Sequence, residues 1–353
     1  MSDPTDVLLI GLGSIGTVYA YLLERSGKAR VTAVARSNYD VYANNGVSLV
    51  TDRFGTIQYK PYRVFKSQEE ALADGTKYAL CVVATKSLPD VLPTPTLLAP
   101  SIASDQVGAY VLIQNGLGVE TDLHKAAPST PIVSCLAWIS TTTSQGGSVV
   151  TWKGADKLGC GVYPPPSDQR VSFSAPETHA LELWTSLLKD GGAAVVQADN
   201  IESMRYSKNV LTASWAGLQG LARTQAACFA GLSAAHHAQI KKYQREIISL
   251  GFKTGLLVEG MTLQPMGNTA EGVEETIEAD FNRFVLAPQG SPVTQHKWSL
   301  LVDIENDRPF EVEVILGSVV RLAQSVGHDT PLVDFAYTVL SGVQASILAK
   351  RQG

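Results

Sequence analysis

Hydrophobic and polar positions divide the chain into two parts with different periodicities. Up to about residue 199, short apolar runs such as Val31–Ala35 and Tyr78–Thr85 alternate with amphipathic segments. From about residue 200, strand patterns largely stop and apolar residues recur every three or four positions over long stretches. The pattern predicts an α/β fold, with a doubly wound, mostly parallel sheet in residues 1–199 and an all-helical domain in residues 200–353.

The individual elements follow from the same pattern. The predicted strands are Val7–Ile10, Val31–Ala35, strand-like Gly46–Phe65, Tyr78–Thr85, Ala109–Ile113, Pro131–Ile139, antiparallel hairpins at the sheet edge over Val149–Val162, and Ala193–Val196. The predicted helices are Ser14–Arg25, Ser67–Ala73, Ala180–Lys189, Ile201–Ala222, Ala234–Val258, Glu271–Leu286, Pro309–Val326 and Asp334–Lys350.

The first strand ends in a glycine-rich turn. Its spacing is G-x-G-x-x-G, and its residues are Gly11, Leu12, Gly13, Ser14, Ile15 and Gly16. In this spacing the first glycine permits the turn, the second lets the backbone approach a pyrophosphate, and the third lets the helix pack closely. Because the N-terminus of a helix favours anions, we predict that this loop binds a dinucleotide rather than forming a plain turn.

The end of the second strand predicts which dinucleotide binds. An acidic residue there would bind the ribose hydroxyls of NAD, but this strand ends in Arg36, and the nearest carboxylate is Asp40. An arginine would pair with a 2′-phosphate, which predicts NADPH/NADP as the cofactor. A solvated surface arginine is the alternative interpretation.

Two further strand ends carry polar residues at the edge where ligands bind in such sheets. Thr85 and Lys86 follow one strand, and Asn115 follows the next. We expect the lysine to reach the cofactor or a substrate carboxylate, and the asparagine to bind near the nicotinamide. The alternatives are a solvated lysine and ordinary Asn-Gly turn chemistry.

The second domain contains two candidate chemical groups. Lys208 interrupts an apolar stripe on the helix Ile201–Ala222, so its ammonium either snorkels to solvent or points into a cleft. In a cleft, loss of hydration would lower its pKa and suit it to act as a general acid. Glu311 follows Asp307, a predicted N-cap, and a carboxylate early in a helix would accept a hydrogen bond from a substrate hydroxyl. A simple helix-start glutamate is the alternative.

Composition excludes several classes of protein. The net charge of −5 gives no basic surface for nucleic acid, and no apolar run is expected to span a membrane. The four cysteines lack metal-ligand spacing, so we expect no metal. The N-terminal residues show no secretory pattern, which makes the cytoplasm the expected location.

Seven segments together resemble the ketopantoate reductase (2-dehydropantoate 2-reductase) family, especially its fungal-type members. They cover nearly the whole length: Gly11–Gly16, Val34–Val41, Thr85–Val91, Gln114–Gly118, Arg205–Lys208, Ser299–Asp303 and Arg308–Glu313. The resemblance implies a Rossmann domain followed by a helical domain like that of 6-phosphogluconate dehydrogenase, and a monomer or homodimer.

The resemblance also implies site roles. Lys208 corresponds to the catalytic lysine, while Ser299 and Glu311 correspond to residues that bind the substrate's carboxylate and hydroxyl. Lys86 and Asn115 correspond to residues of the cleft and the nicotinamide site. These roles imply an oxidoreductase with a small-molecule substrate, acting in pantothenate biosynthesis or in secondary metabolism.

The chain departs from the family pattern on the substrate side. Asparagines expected four and eight residues after the lysine are Thr212 and Ala216, another is Leu316, and the motif tryptophan is Tyr206. Thr212 keeps a hydroxyl for substrate binding, whereas the other changes predict a less polar, more apolar pocket. The first hypothesis is an NADPH-dependent 2-keto acid reductase. The alternatives are a non-redox cyclase or isomerase acting on a bulky apolar substrate, and a non-catalytic NADPH-binding protein.

Overall fold

The computed structural model describes residues 3–167, 172–263, 268–288, 290–291 and 293–352, without the side chains of residues 155, 262, 263, 268, 269 and 352. The chain divides into two compact units. Unit 1 comprises Met1–Thr85, Pro93–Gln114 and Glu120–Ile201; unit 2 comprises Lys86–Leu92, Asn115–Val119 and Glu202–Gly353. Two short segments that the sequence analysis assigned to the first domain therefore belong to unit 2, although the main change of unit falls close to residue 200.

Unit 1 is built on a mixed, mostly parallel sheet with ten strands in the described part of the chain. The strands are β1 (Thr5–Ile10), β2 (Ala29–Val34), β3 (Val47–Thr51), β4 (Gly55–Tyr59), β5 (Arg63–Phe65), β6 (Leu80–Val83), β7 (Tyr110–Ile113), β8 (Ile132–Ser144), β9 (Val149–Tyr163) and β10 (Val195–Gln197). Their order is β4-β3-β9-β8-β7-β6-β1-β2-β5, and β10 pairs with β9. This confirms the predicted Rossmann-type sheet.

The centre of the sheet explains why its strands are continuous apolar runs. Strand β1 lies between β2 and β6 and is parallel to both, with Leu9 opposite Ala33 and Val82. Helices on the two faces exclude water from such strands, so both sets of alternating side chains must be apolar. Val7, Leu8 and Leu9 are accordingly fully buried.

The long hairpin formed by β8 and β9 corrects one prediction. Its antiparallel pairing is confirmed, but its predicted position at the sheet edge is wrong. The first part of β9 pairs in parallel with β3, and its last part pairs in parallel with β10, so the strands with a single neighbour are β4, β5 and β10. Alternation along a strand reports which side chains are buried, but not which strand pairs on the other side.

The helices of unit 1 connect and cover the strands. They are α1 (Ser14–Arg25), α2 (Tyr39–Asn44), α3 (Gln68–Leu72), α4 (Thr94–Leu97), α5 (Ala99–Ser104), α6 (Thr121–Ala126) and α7 (Ala175–Asp190). The predicted bounds of α1 are confirmed. Helix α1 buries Val18, Leu22 and Leu23 in the hydrophobic core of unit 1, which fixes its N-terminus at the end of β1.

In its described residues, unit 2 is helical apart from one short hairpin, β11 (Met261–Leu263) and β12 (Asn268–Ala270). The helices are α8 (Ile201–Leu211), α9 (Gly217–Ala222), α10 (Ala234–Lys253), α11 (Val273–Phe284), α12 (Ser299–Glu305), α13 (Ser318–Ser325) and α14 (Pro331–Gln352). A π-helical turn, Thr212–Ala216, joins α8 to α9, and a second, Glu313–Gly317, leads into α13.

The helix predicted from Pro309 begins later than expected. Asp307 has φ 48° and lies just after α12, where the Arg308 N–H donates to the Asp303 carbonyl, so it helps end one helix rather than begin the next. The first intrahelical hydrogen bond of the following helix is accepted by the Glu311 carbonyl from Ile315. Glu311 therefore occupies the N-cap position, and the predicted N-cap role of Asp307 is wrong.

The C-terminal helix is apolar over an unusual length. Among the described residues, Pro331–Arg351 is long and apolar enough to cross a membrane by length and composition alone. The expectation that no run reaches this length is therefore wrong by that measure. The criterion is also met by core helices, and Val333, Ala336 and Leu340 are buried in the hydrophobic core of unit 2.

Candidate active site

The glycine-rich loop in unit 1 has the geometry that the sequence predicted. Gly11 follows β1 with φ 99°, and a Cβ at this position would lie 2.7 Å from the Thr85 methyl carbon. A Cβ at Gly16 would lie 2.1 Å from the Gly11 carbonyl oxygen, so α1 packs against the loop only because residue 16 is glycine. No atom lies within 4 Å of a Cβ built at Gly13, which directly precedes α1. This open space at a helix N-terminus fits a pyrophosphate group.

The remaining loop residues hold the loop in place. Leu12 is buried, and its carbonyl accepts a hydrogen bond from the Asn38 side-chain amide. The Ser14 hydroxyl accepts a hydrogen bond from the Thr141 hydroxyl at 2.9 Å, and Ile15 packs against the unit 1 core. Asn38 lies in the segment after β2, so this bond ties the glycine-rich loop to that segment.

Arg36 lies in the same segment, directly after the buried residue Ala35, and its side chain is exposed. The guanidinium is therefore accessible to an anionic ligand near the loop that Asn38 holds. Asn38 was not among the site residues predicted from the sequence. Its position two residues after Arg36 was the sequence feature that could have indicated a role at the site.

In unit 2, four residues from separate segments form a connected polar group, which we call the Lys208 cluster: Lys208, Asn115, Glu311 and Ser87. The Lys208 ammonium donates to Asn115 Oδ1 at 2.8 Å, and Asn115 Nδ2 lies 3.4 Å from Glu311 Oε2. Glu311 Oε1 accepts a hydrogen bond from the Ser87 backbone N–H at 3.0 Å. The single amide of Asn115 thus joins a cation to a carboxylate, and Lys208 has a polar partner inside unit 2.

The surroundings shift both ionisable groups of the cluster toward their neutral forms. Burial, reinforced by the positive charge of Arg205, lowers the pKa of Lys208 to about 7, against the opposing effect of Glu311. Burial raises the pKa of Glu311, and the Ser87 N–H, Lys86 and Asn115 oppose this rise. Such shifts suit a pair of groups that binds and moves a proton near neutral pH.

A π-helical turn follows closely after each of the two ionisable residues of the Lys208 cluster, Lys208 and Glu311. One turn begins four residues after Lys208, and the Thr212 hydroxyl at its start donates to the Lys208 carbonyl at 3.2 Å. The other begins two residues after Glu311. π-turns change the direction of side chains along a helix and are frequent at functional sites. The Thr212 hydroxyl is engaged with the helix backbone, and its predicted contact with substrate remains a prediction.

A second charged group in unit 2 surrounds Asp303, which is buried. Its carboxylate lies 2.5 Å from the Lys86 ammonium and 3.2 Å from Arg308 Nε. The predicted site residue Lys86 therefore has an acidic partner that the sequence did not reveal. Ser299 is the exposed first residue of α12, one turn before Asp303; among the described hydrogen bonds, none joins it to the Lys208 cluster.

The residues that differ from the family pattern do not have the effect on the pocket that the sequence predicted. Ala216 and Leu316 are fully buried in the unit 2 core, where a Leu316 methyl lies 3.5 Å from the position of a Cβ at Gly217. The Tyr206 hydroxyl donates to the Ile247 carbonyl at 2.7 Å. The expectation that these changes enlarge an apolar pocket is wrong, because the side chains fill the core. The proposal of a bulky apolar substrate loses this support.

Comparisons with known proteins identify the family. The family model described as ketopantoate reductase PanE/ApbA matches residues 7–164, and its C-terminal counterpart matches residues 200–344. The chain belongs to the ketopantoate reductase family. It therefore has the scaffold of a family of oxidoreductases that act on a keto acid.

Individual relatives show that this member of the ketopantoate reductase family is divergent. An uncharacterized protein of Saccharomyces cerevisiae is 25% identical over 98% of this chain and 95% of its own. The crystal structure of 2-dehydropantoate 2-reductase from Methylococcus capsulatus aligns with a TM-score of 0.75 at 23% identity, covering 97% of each chain. D-mandelate dehydrogenase with NADH and anilino(oxo)acetate aligns with a TM-score of 0.75 at 17% identity, covering 97% of this chain and 99% of that one. The structural likenesses confirm the fold.

Metal ligands form no cluster in the described residues. No group of three or more histidine, cysteine, aspartate or glutamate side chains is arranged there to hold a metal ion.

Proposed function

We propose that this protein is an NADPH-dependent reductase of a 2-keto acid. The observation that carries the proposal is the Lys208 cluster, in which a lysine with a pKa of about 7 donates to an asparagine that also contacts a buried glutamate. Reduction of a carbonyl needs a proton on the oxygen as well as a hydride on the carbon. A lysine of this pKa supplies the proton near neutral pH.

The glycine-rich loop of unit 1 would hold the dinucleotide. Gly11, Gly13 and Gly16 supply the turn, the open space and the close helix packing that a pyrophosphate site requires. Arg36, exposed after β2, would pair with the 2′-phosphate, while Thr85 packs beneath the loop. A dinucleotide bound at this loop would supply the hydride for the carbonyl carbon.

The unit 2 residues would orient the substrate and complete the reaction. Lys208 donates a proton to the carbonyl oxygen, which becomes the hydroxyl of a 2-hydroxy acid. Asn115 fixes the ammonium, and Glu311 accepts a hydrogen bond from a second polar group of the substrate. Ser299, Thr212 and the Lys86–Asp303 pair would contribute to binding its carboxylate end.

A substrate panel tests the proposal. The purified protein is mixed with NADPH or NADH and a set of 2-keto acids, and the loss of reduced-nicotinamide absorbance is measured. We expect turnover with at least one 2-keto acid and a preference for NADPH, with formation of the 2-hydroxy acid confirmed by mass spectrometry. NADPH binding without turnover of any 2-keto acid would contradict the proposal, and a product of unchanged mass would indicate a non-redox reaction instead.

A further inference from the structure

Arg205 is a buried charged residue with a specific backbone partner. Its exposed fraction is 2%, although arginine is rarely buried to this extent. It lies three residues before Lys208 on α8, and its Nη1 donates to the Gly116 carbonyl at 3.0 Å. The bond joins α8 to a turn that is 89 positions away in the chain.

The turn that Arg205 contacts carries Asn115. Gly116 has φ 89°, and a Cβ there would lie 2.5 Å from Val314, so this position accepts only glycine. The next N–H, that of Leu117, donates to the Val314 carbonyl at 2.9 Å. The turn is thus held by α8 on one side and by the helix that follows Glu311 on the other.

Asn115 needs this support because its amide has two different partners. Its oxygen accepts from Lys208, and its nitrogen faces Glu311. A small rotation of the turn would change the lengths of both contacts, because both are made by the same amide. Backbone bonds to Gly116 and Leu117, the residues that follow Asn115, restrict that rotation.

We propose that Arg205 is a positioning residue, which holds the Asn115–Gly116 turn so that the Asn115 amide aligns Lys208 with Glu311. This inference rests on the proposed reductase function. Arg205 acts through the turn, and the proton in the reaction belongs to Lys208.

The charge of Arg205 has a second consequence for Lys208. Arg205 lies on the same helix and lowers the pKa of Lys208, whereas Glu311 on the facing helix raises it. Asn115, which accepts a hydrogen bond from the ammonium, is neutral. Removing the arginine charge should therefore raise the pKa of Lys208, and keeping a charge at residue 205 should not.

Three variants of the full chain separate these effects. Arg205→Met removes the positive charge and the hydrogen-bond donor to Gly116. Arg205→Lys keeps the charge but loses the planar guanidinium. Arg321→Met is the matched control, because exposed Arg321 also donates to a backbone carbonyl, that of Glu313, at 2.7 Å. For each variant, the rate of Lys208 modification by an amine reagent is measured against pH by mass spectrometry. NADPH affinity, kcat and KM are measured in parallel.

We expect Arg205→Met to lower kcat by about 10- to 100-fold while NADPH affinity changes by less than about twofold. The midpoint of Lys208 modification should move to higher pH in Arg205→Met and stay in place in Arg205→Lys and Arg321→Met. Arg205→Lys should lower kcat by an intermediate factor. If Arg205→Met does not fold, Arg205→Lys alone tests the inference. It should leave the midpoint of Lys208 modification unchanged and lower kcat.

Two results would overturn the inference. One is an unchanged Lys208 midpoint in folded Arg205→Met, and the other is a kcat for Arg205→Lys equal to that of Arg321→Met. The modification assay needs no turnover, so a wild-type protein that reduces no 2-keto acid would contradict the proposed function without deciding the role of Arg205.

Discussion

The glycine-rich loop of unit 1 and the Lys208 cluster of unit 2 are built in opposite ways. The loop is one continuous segment whose shape depends on absent side chains, since a Cβ at Gly16 would lie 2.1 Å from the Gly11 oxygen. The cluster joins side chains and a backbone N–H from distant segments, and its Lys208–Asn115 bond spans 93 positions. The loop therefore depends on backbone space, whereas the cluster depends on the helices and turns that hold its side chains.

The largest expected effect comes from removing the ammonium of the cluster. Lys208→Ala should lower kcat/KM for the 2-keto acid by about 10²- to 10⁴-fold, because the carbonyl oxygen loses its proton donor. NADPH affinity should remain nearly unchanged, since the loop lies in unit 1. Steady-state kinetics and fluorescence titration with NADPH measure the two quantities. Lys350→Ala, which removes an exposed lysine paired with Asp307, is the control; equal losses of kcat/KM in both variants would contradict a specific role of the Lys208 ammonium.

Alanine substitutions at two loop glycines distinguish a glycine that leaves room for the ligand from a glycine that permits close helix packing. Gly13→Ala places a methyl group in open space at an ordinary φ of −82°, so it should lower NADPH affinity by about tenfold or more, about 1.4 kcal/mol, without lowering the unfolding temperature. Gly16→Ala should lower both, because its methyl meets the Gly11 carbonyl. Isothermal titration and thermal unfolding test this pair. A Gly13→Ala variant that binds NADPH normally would count against a pyrophosphate at this loop.

Arg36 tests which dinucleotide the loop prefers. Arg36→Gln should weaken NADPH binding by about 10- to 100-fold, as expected for a lost charge-assisted hydrogen bond to the 2′-phosphate. NADH binding should change little, because NADH lacks that phosphate. Titration of wild type and variant with both cofactors gives the ratio. An equal effect on the two cofactors would remove the proposed role of Arg36.

The smallest effect is the pH dependence of the wild-type reaction. Lys208 must be protonated to act as the acid, and its pKa is lowered to about 7. The turnover number should therefore be constant below this value and fall about tenfold per pH unit well above it. Rates measured from the neutral range up to the ordinary pKa range of lysine, with NADPH affinity followed in parallel, test the prediction. A rate that stays constant up to the ordinary pKa range of lysine would show that the ammonium of Lys208 is not the proton donor.

Much of unit 1 could be predicted from the sequence because its rules are local. Continuous apolar runs indicated the central strands, and Gly11 and Gly16 indicated the turn into α1. The position of β9 could not be predicted, since strand pairing joins residues that are distant in the chain, such as Val50 and Thr151. Asp307 was assigned to the wrong helix because a polar residue two positions before a proline fits either the end of one helix or the start of the next.

The site in unit 2 could be predicted only as a set of candidate residues. Lys208 was notable as a charge within an apolar stripe, and Glu311 was a candidate through its position early in a predicted helix and through family resemblance. Their shared contact with Asn115 depends on tertiary structure, as do the bond from Arg205 to Gly116 and the pairing of Lys86 with Asp303. Family departures at Ala216 and Leu316 were interpreted as pocket changes because sequence comparison does not reveal which side chains fill the core.

A crystal structure with NADP⁺ and the 2-hydroxy acid product tests most directly whether the glycine-rich loop binds the dinucleotide and Lys208 is the proton donor. We predict the pyrophosphate against Gly13 and the N-terminus of α1, the 2′-phosphate on Arg36, and the product hydroxyl about 3 Å from the Lys208 ammonium. A product hydroxyl held by other residues, with the Lys208 ammonium directed to bulk solvent, would contradict the account.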